Sequence, residues 1–242
     1  PARVPVKRNI TVFDFVLKAP FGSSATQLKW DKISMRIVHH PDVTTVMTCS
    51  AGSQPEALCA VVTSHLSMCP ECMHELSLLE EIGVCLFECS SSDQKMAADE
   101  MPSAAEVLEQ TREATAELGK GDVPWPLIPC VGHSLDAISW HDISPGISTF
   151  AIPISPNAQG DLRLLRLAPG KQLPEHGHLG EELTLVLRGA YSDESGSFNV
   201  GDISDFDDDN RHSVVAGPDG CIILIASETR PAFLMQLAQN DA

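Results

Sequence analysis

The chain has 242 residues, 43% of them hydrophobic, and a formal net charge of −17. That length allows two ordinary domains or one large one, and the apolar content excludes disorder throughout. The carboxylate excess argues against a direct nucleic-acid partner, since such binding needs cationic groups to displace counterions, and favours a basic protein partner.

Charge is unevenly spread. Residues 1–34 hold six Lys/Arg against Asp14 and Asp31, a net of +4, leaving −21 for the remainder. This segment begins with Pro, shows no sustained periodicity, and is expected to be a non-native or disordered extension. Met35 is then the better natural start, a genuine basic arm being the alternative. No apolar run approaches the roughly 18 residues of a membrane span. Eight cysteines occur without a signal peptide, and several fall inside apolar helical patterns. They read as reduced thiols, small buried hydrophobes for the most part, in a soluble, cytoplasmic setting.

From His39 the pattern turns helical. Pro41 suits a first turn, Asp42 adds a favourable charge at that end, and Ala51-Gly52 closes the segment. A second helix runs from about Pro55 to Leu66. A third starts near Pro70 and carries Met73, Leu76, Leu79, Ile82 and Leu86 at helical spacing, a stripe for a core or a partner groove. After Ser90-Ser91-Ser92-Asp93, the capping box Ser103-Ala-Ala-Glu106 opens a fourth helix through about Leu118. Residues 35–120 hold four basic and fourteen acidic side chains. Gly119-Lys-Gly-Asp-Val-Pro-Trp-Pro is the punctuation of a linker, placed at 121–127. Beyond Leu127 come short strands separated by Gly, Pro and Asp clusters, among them Leu162–Leu167, Leu183–Leu187 and Cys221–Ala226. That spacing reads as a sandwich or barrel.

Two constellations carry chemistry. In His65-Leu-Ser-Met-Cys69-Pro-Glu-Cys72, His65 and Cys69 stand one helical turn apart, and the Cys-Pro-Glu-Cys turn brings two thiolates to one ion. With one distant imidazole these make a closed Cys2His2 zinc site, the usual structural form. His39 and His40 compete for the fourth position. His40 precedes a proline and is held out of the helical region, free to fold back over a metal. A redox role for Cys69 and Cys72 is the rival reading. The second constellation is Gly170-x5-His176-x-His178-x3-Glu182-x6-Gly189, with His212 thirty residues beyond Glu182. Three imidazoles and a carboxylate suit zinc or another divalent transition metal. Glu181 is the neighbouring alternative to Glu182.

The second pattern resembles the cupin motif, which implies a small double-stranded β-helix. Its second half keeps only the Gly201-to-His212 spacing, with Asp207, Asp209 and Ala216 where proline, glycine and asparagine are usual. The ordered pair of sites, with Arg36-Ile-Val-His-His40, Val62-Thr-Ser-His-Leu-Ser-Met-Cys-Pro-Glu-Cys72 and the His176-to-Gly189 run, resembles the ChrR family of zinc-binding anti-sigma factors. That resemblance selects His40, His65, Cys69 and Cys72 as zinc ligands, and His176, His178, Glu182 and His212 as cupin ligands. It implies an α+β multidomain chain, with a helical zinc anti-sigma domain over 35–120 and a cupin domain over 128–242. The implied function is non-enzymatic: one-to-one sequestration of an extracytoplasmic-function sigma factor, relieved by singlet-oxygen-type stress sensed through the cupin. A cupin metalloenzyme and a metal sensor are the competing readings.

Overall fold

A computed structural model describes the backbone of residues 37–90 (with side chains as far as Ile82) and residues 121–177, 180–206, 211–229 and 231. The extension 1–34, Met35, the helix expected over 103–118, His178, Asp207 and Asp209 lie outside the described residues.

Among the described residues the helical part has three elements, α1 (Val43–Ser50), α2 (Glu56–Leu66) and α3 (Pro70–Ser90). Asp42 is the N-cap of α1, its carboxylate accepting from Thr44 N–H at 2.7 Å. Pro41 therefore lies one residue outside the helix rather than in its first turn. A short α4 (Ile128–Val131) and two 3-10 turns, Trp125–Leu127 and Leu135–Ala137, follow. In the stretch read as a linker, Val123 and Leu127 are buried against the same core as α2.

Among the described residues nine strands follow: β1 (His141–Ser144), β2 (Ile147–Ala151), β3 (Asp161–Leu167), β4 (His176–Gly177), β5 (Glu182–Asp193), β6 (Gly196–Asn199), β7 (Ile203–Phe206), β8 (Arg211–His212) and β9 (Val215–Ser227). The larger antiparallel sheet runs β1-β2-β3-β9-β5-β6, with β7 beside the first half of β5, and β4 pairs with β8 separately. This is the cupin-like β architecture expected after a helical region.

The apolar strand runs do not alternate with polar residues, and the packing explains why. Leu165, Leu167, Ile223 and Ile225 fill the space between the strands, while Leu162, Leu164, Leu183, Leu185, Ile222 and Leu224 face out into one core shared with α2. A sheet covered on both faces needs apolar side chains on both. Helix α2 is correspondingly buried along almost its whole length, Leu58, Val61 and Val62 being completely enclosed. The two halves of the chain are fused through a common core.

The cysteine reading needs one correction. Cys49 and Cys59 form a disulfide joining the end of α1 to α2, because the turn at Gly52 brings their Cα atoms to 5.2 Å. Cys69, Cys72 and Cys221 are free thiols. Cys221 behaves as a buried hydrophobe, burial pushing its thiol up to about 12.

Candidate metal centres

The helical site is built by the α2–α3 corner. His65 lies in the last turn of α2, and the backbone N–H of Cys69 closes onto the His65 carbonyl at 2.8 Å. Pro70 starts α3, so Cys69 and Cys72 sit at the positive end of a 21-residue helix, where thiolates are favoured. His40, held outside any helix by Pro41, reaches over the corner with its Nδ1 3.5 Å from Cys69 Sγ and 3.2 Å from Cys72 Sγ. His65 Nε2 stands 3.4 Å from Cys72 Sγ. His65, Cys69 and Cys72 are buried, and one ligand atom from each of the four lies within 4.8 Å of every other.

These spacings fit a bound ion. A tetrahedron with metal–ligand bonds of about 2.0–2.3 Å has donor–donor edges of roughly 3.4–3.8 Å, close to the distances found. The hydrogen bonding agrees. His65 donates Nδ1–H to the Gly201 carbonyl at 2.8 Å, which leaves Nε2 bare and aimed at the sulfurs. The hydrogen bond from Cys72, helped by His65 and opposed by burial, holds the Cys69 thiol well below its ordinary range; Cys72 is pushed up by that same bond and by burial. A cation at the centre satisfies both sulfurs and both bare nitrogens.

His39, the alternative to His40, is directed elsewhere. Its ring packs on Phe198 at 4.5 Å, its Nδ1 lies 3.5 Å from Asp202, and its carbonyl accepts from Ile203 N–H at 3.2 Å.

The cupin site joins β4, β5 and β8. His176 and His212 face one another in the β4–β8 ladder, and Glu182 opens β5. Their ligand atoms also lie within 4.8 Å of one another, and all three residues are buried. His176 donates Nδ1–H to the Pro174 carbonyl at 2.9 Å, and His212 directs Nδ1 at Asp193 Oδ2, 3.2 Å away. Both Nε2 atoms thus turn toward the site, 3.2 Å apart, a separation that two ligands of one ion would take. Glu181 points away and accepts from Gln54 Nε2 at 3.2 Å. Burial, with Asp205 and Glu228, raises its carboxyl.

The chain is similar to known proteins along most of its length. A family model described as the ChrR Cupin-like domain matches residues 131–229. The anti-sigma-E factor ChrR of Cereibacter sphaeroides is 34% identical over 212 residues, 85% of this chain and 98% of that protein. The chain belongs to the ChrR family of anti-sigma factors. Among solved structures, a crystal structure of Rhodobacter sphaeroides SigE in complex with the anti-sigma ChrR matches with a TM-score of 0.64 and 33% identity. That match covers 79% of this chain and 99% of the other. KdgF from a Halomonas species shows a weaker likeness, with a TM-score of 0.34 and 22% identity over 40% of this chain.

In this ChrR-family member the orienting residues around the ligands were not legible in the sequence. Asp193, whose side chain is fully buried, anchors His212 and also accepts from Ser195 N–H and Gly196 N–H. Asp202 binds Val38 N–H and His39 N–H through one oxygen and Asn199 N–H through the other. Neither belongs to a spacing motif, because each contact is made by a turn that brings distant residues together.

Proposed function

We propose that the helical half grips an extracytoplasmic-function sigma factor one-to-one and keeps RNA polymerase from engaging it. The observation that carries this reading is an uncovered apolar surface on the two helices flanking the zinc-type corner. Val43 and Met47 of α1 and Leu78 and Ile82 of α3 are 40–56% exposed, although α2 between them is enclosed. The α3 stripe divides: Leu76 is buried and Met73 packs against the core, while Leu79 is half-buried and Ile82 is exposed to a partner. The partner in the SigE–ChrR complex named above is a sigma factor, which supports the same assignment here. The acidic surface suits a basic DNA-binding partner and would speed encounter more than it adds affinity.

Zinc would be held by His40, His65, Cys69 and Cys72, and zinc or another divalent transition metal by His176, His178, Glu182 and His212. When bound, zinc supplies a cross-link worth on the order of 10 kcal/mol to a small module. The chain's own part is to hold α2, α3 and the His40 arm in the arrangement that presents Val43, Met47, Leu78 and Ile82. The cupin half reads the inducing signal, an oxidant of the singlet-oxygen type, through its ligand set and transmits it through the shared core. The reading is of a regulator rather than an enzyme. Among the described residues no helix is long and apolar enough to cross a membrane, and a partner in transcription supports a cytoplasmic location and no direct contact with nucleic acid.

The test is co-expression with the sigma factor encoded beside it, followed by co-purification, metal analysis and a reporter promoter. A one-to-one complex with two metals per chain is expected. Repression retained by Cys69→Ala plus Cys72→Ala would contradict the reading. Turnover of a small diketone or phenolic by the iron-loaded chain would favour an enzyme instead.

A further inference from the structure

The zinc-type corner is not supported by the helices alone. One of its imidazoles, and the backbone arm that carries the other, are held by the turn between β6 and β7. The Gly201 carbonyl accepts from His65 Nδ1–H at 2.8 Å. The next residue, Asp202, is 1% exposed and binds Val38 N–H at 2.7 Å and His39 N–H at 3.0 Å, fixing the arm that carries His40. Ile203 N–H then donates to the His39 carbonyl at 3.2 Å, continuing the arm along the start of β7. Gly201 has φ +92°, and a Cβ there would stand 2.6 Å from Ile37 Cδ1, so the arm lies directly on this turn.

Four residues later the same strand ends at the other centre. Phe206 pairs in register with Glu182, and its ring lies 4.1 Å from that of His212. From these contacts we infer that β7, with the Gly201–Asp202 turn, is a positioning strut. It sets the two imidazoles of the helical site according to the packing of the cupin ligands Glu182 and His212. A short strand hydrogen-bonded along β5 transmits a shift of Phe206 to the turn more readily than a loop would, because its length and register are fixed. A second line of packed groups runs beside it: the His39 ring on Phe198, Phe198 stacked on Tyr191 at 4.8 Å, and Tyr191 hydroxyl 2.8 Å from Ser204 Oγ within β7. The inference rests on both clusters binding metal and not on capture of a sigma factor.

Cobalt separates the two sites, since only the Cys2His2 set has sulfur and gives a thiolate-to-cobalt charge-transfer band. The rate at which that band decays in excess EDTA would be measured on the full-length cobalt-loaded chain. His176→Ala empties the cupin set through a residue outside β7. It is expected to speed the decay about fivefold or more, within the usual range for coupled sites. Asp202→Ala is expected to speed it about tenfold, and Asp202→Asn, which keeps one acceptor oxygen, by less. With Asp202→Ala present, His176→Ala should add less than about twofold, since coupled changes are not additive. Val38→Pro removes one donor to Asp202 from the arm without altering the barrel, and serves if Asp202→Ala loses its fold. Equal decay with and without His176, or an undiminished His176 effect once Asp202 or Val38 is replaced, overturns the strut. A chain that shows no charge-transfer band overturns the metal assignment itself.

Discussion

At the scale of single residues, three of the candidate ligand imidazoles are oriented by the atom behind them. His65, His176 and His212 all commit Nδ1 to the protein, to Gly201, Pro174 and Asp193 respectively, and so present Nε2 to the site. The candidate cluster at the helical corner was legible because metal chemistry imposes spacing on a sequence: His65 and Cys69 stand one turn apart, and Cys72 follows in the first turn of α3. The residues alone leave His39 and His40 in competition, and the family resemblance selects His40; the geometry supplies a physical reason, since His39 is spent on Phe198 and Asp202. Asp193 left no such signature. Replacing it by asparagine keeps the shape but removes the charge facing His212. Asp193→Asn should weaken metal binding at the cupin set by about 10–100-fold, measured by competition with a chromophoric chelator, while leaving the thiolate site unchanged.

At the scale of elements, the fold was readable where hydrophobic pattern alone decides it. The three helices and the apolar strands follow from periodicity. The unbroken apolar run Cys221–Ala226 implies two covered faces, while Leu162–Leu167 is interrupted by Arg163 and Arg166, and nothing in either says that α2 covers the outer face. Side-chain contacts between turns were not legible at all. Asp122 is an example: it accepts from Leu135 N–H at 2.9 Å and pairs with Arg188 of β5, tying the segment after the helices to the sheet. Burial tends to raise its carboxyl, but the Leu135 N–H and Arg188 outweigh this and hold it below the usual range. A carboxyl lowered by folding contributes stability that is present above the unfolded value of about 3.9 and lost as pH falls through the folded one. Asp122→Ala should therefore cost about 1 kcal/mol at neutral pH, and the difference from the unaltered protein should disappear in denaturant titrations run near pH 2. The Cys49–Cys59 bond is the other tie between elements. It closes a loop of sequence separation 10, and replacing both cysteines by alanine should lower stability by roughly 2–3 kcal/mol, read from the denaturation midpoint under non-reducing conditions.

At the scale of the molecule, the common core of α2 and the sheet makes the chain a single mechanical object with a metal-type cluster in each half. The uncovered apolar residues lie on the outer helices, facing away from that core. Introducing a charge into this surface is a direct probe: Met47→Glu or Ile82→Glu should weaken sigma capture by about tenfold or more in a pull-down titration while leaving metal content and thermal stability nearly unchanged. The measurement that bears most directly on the whole account is capture of the sigma factor by the full-length chain as a function of thiolate-site occupancy, with zinc removed by chelation and then restored. One sigma subunit per zinc-loaded chain is expected, lost on chelation and regained on adding zinc. A chain stripped of zinc that remains folded and captures the sigma factor with undiminished affinity would contradict it.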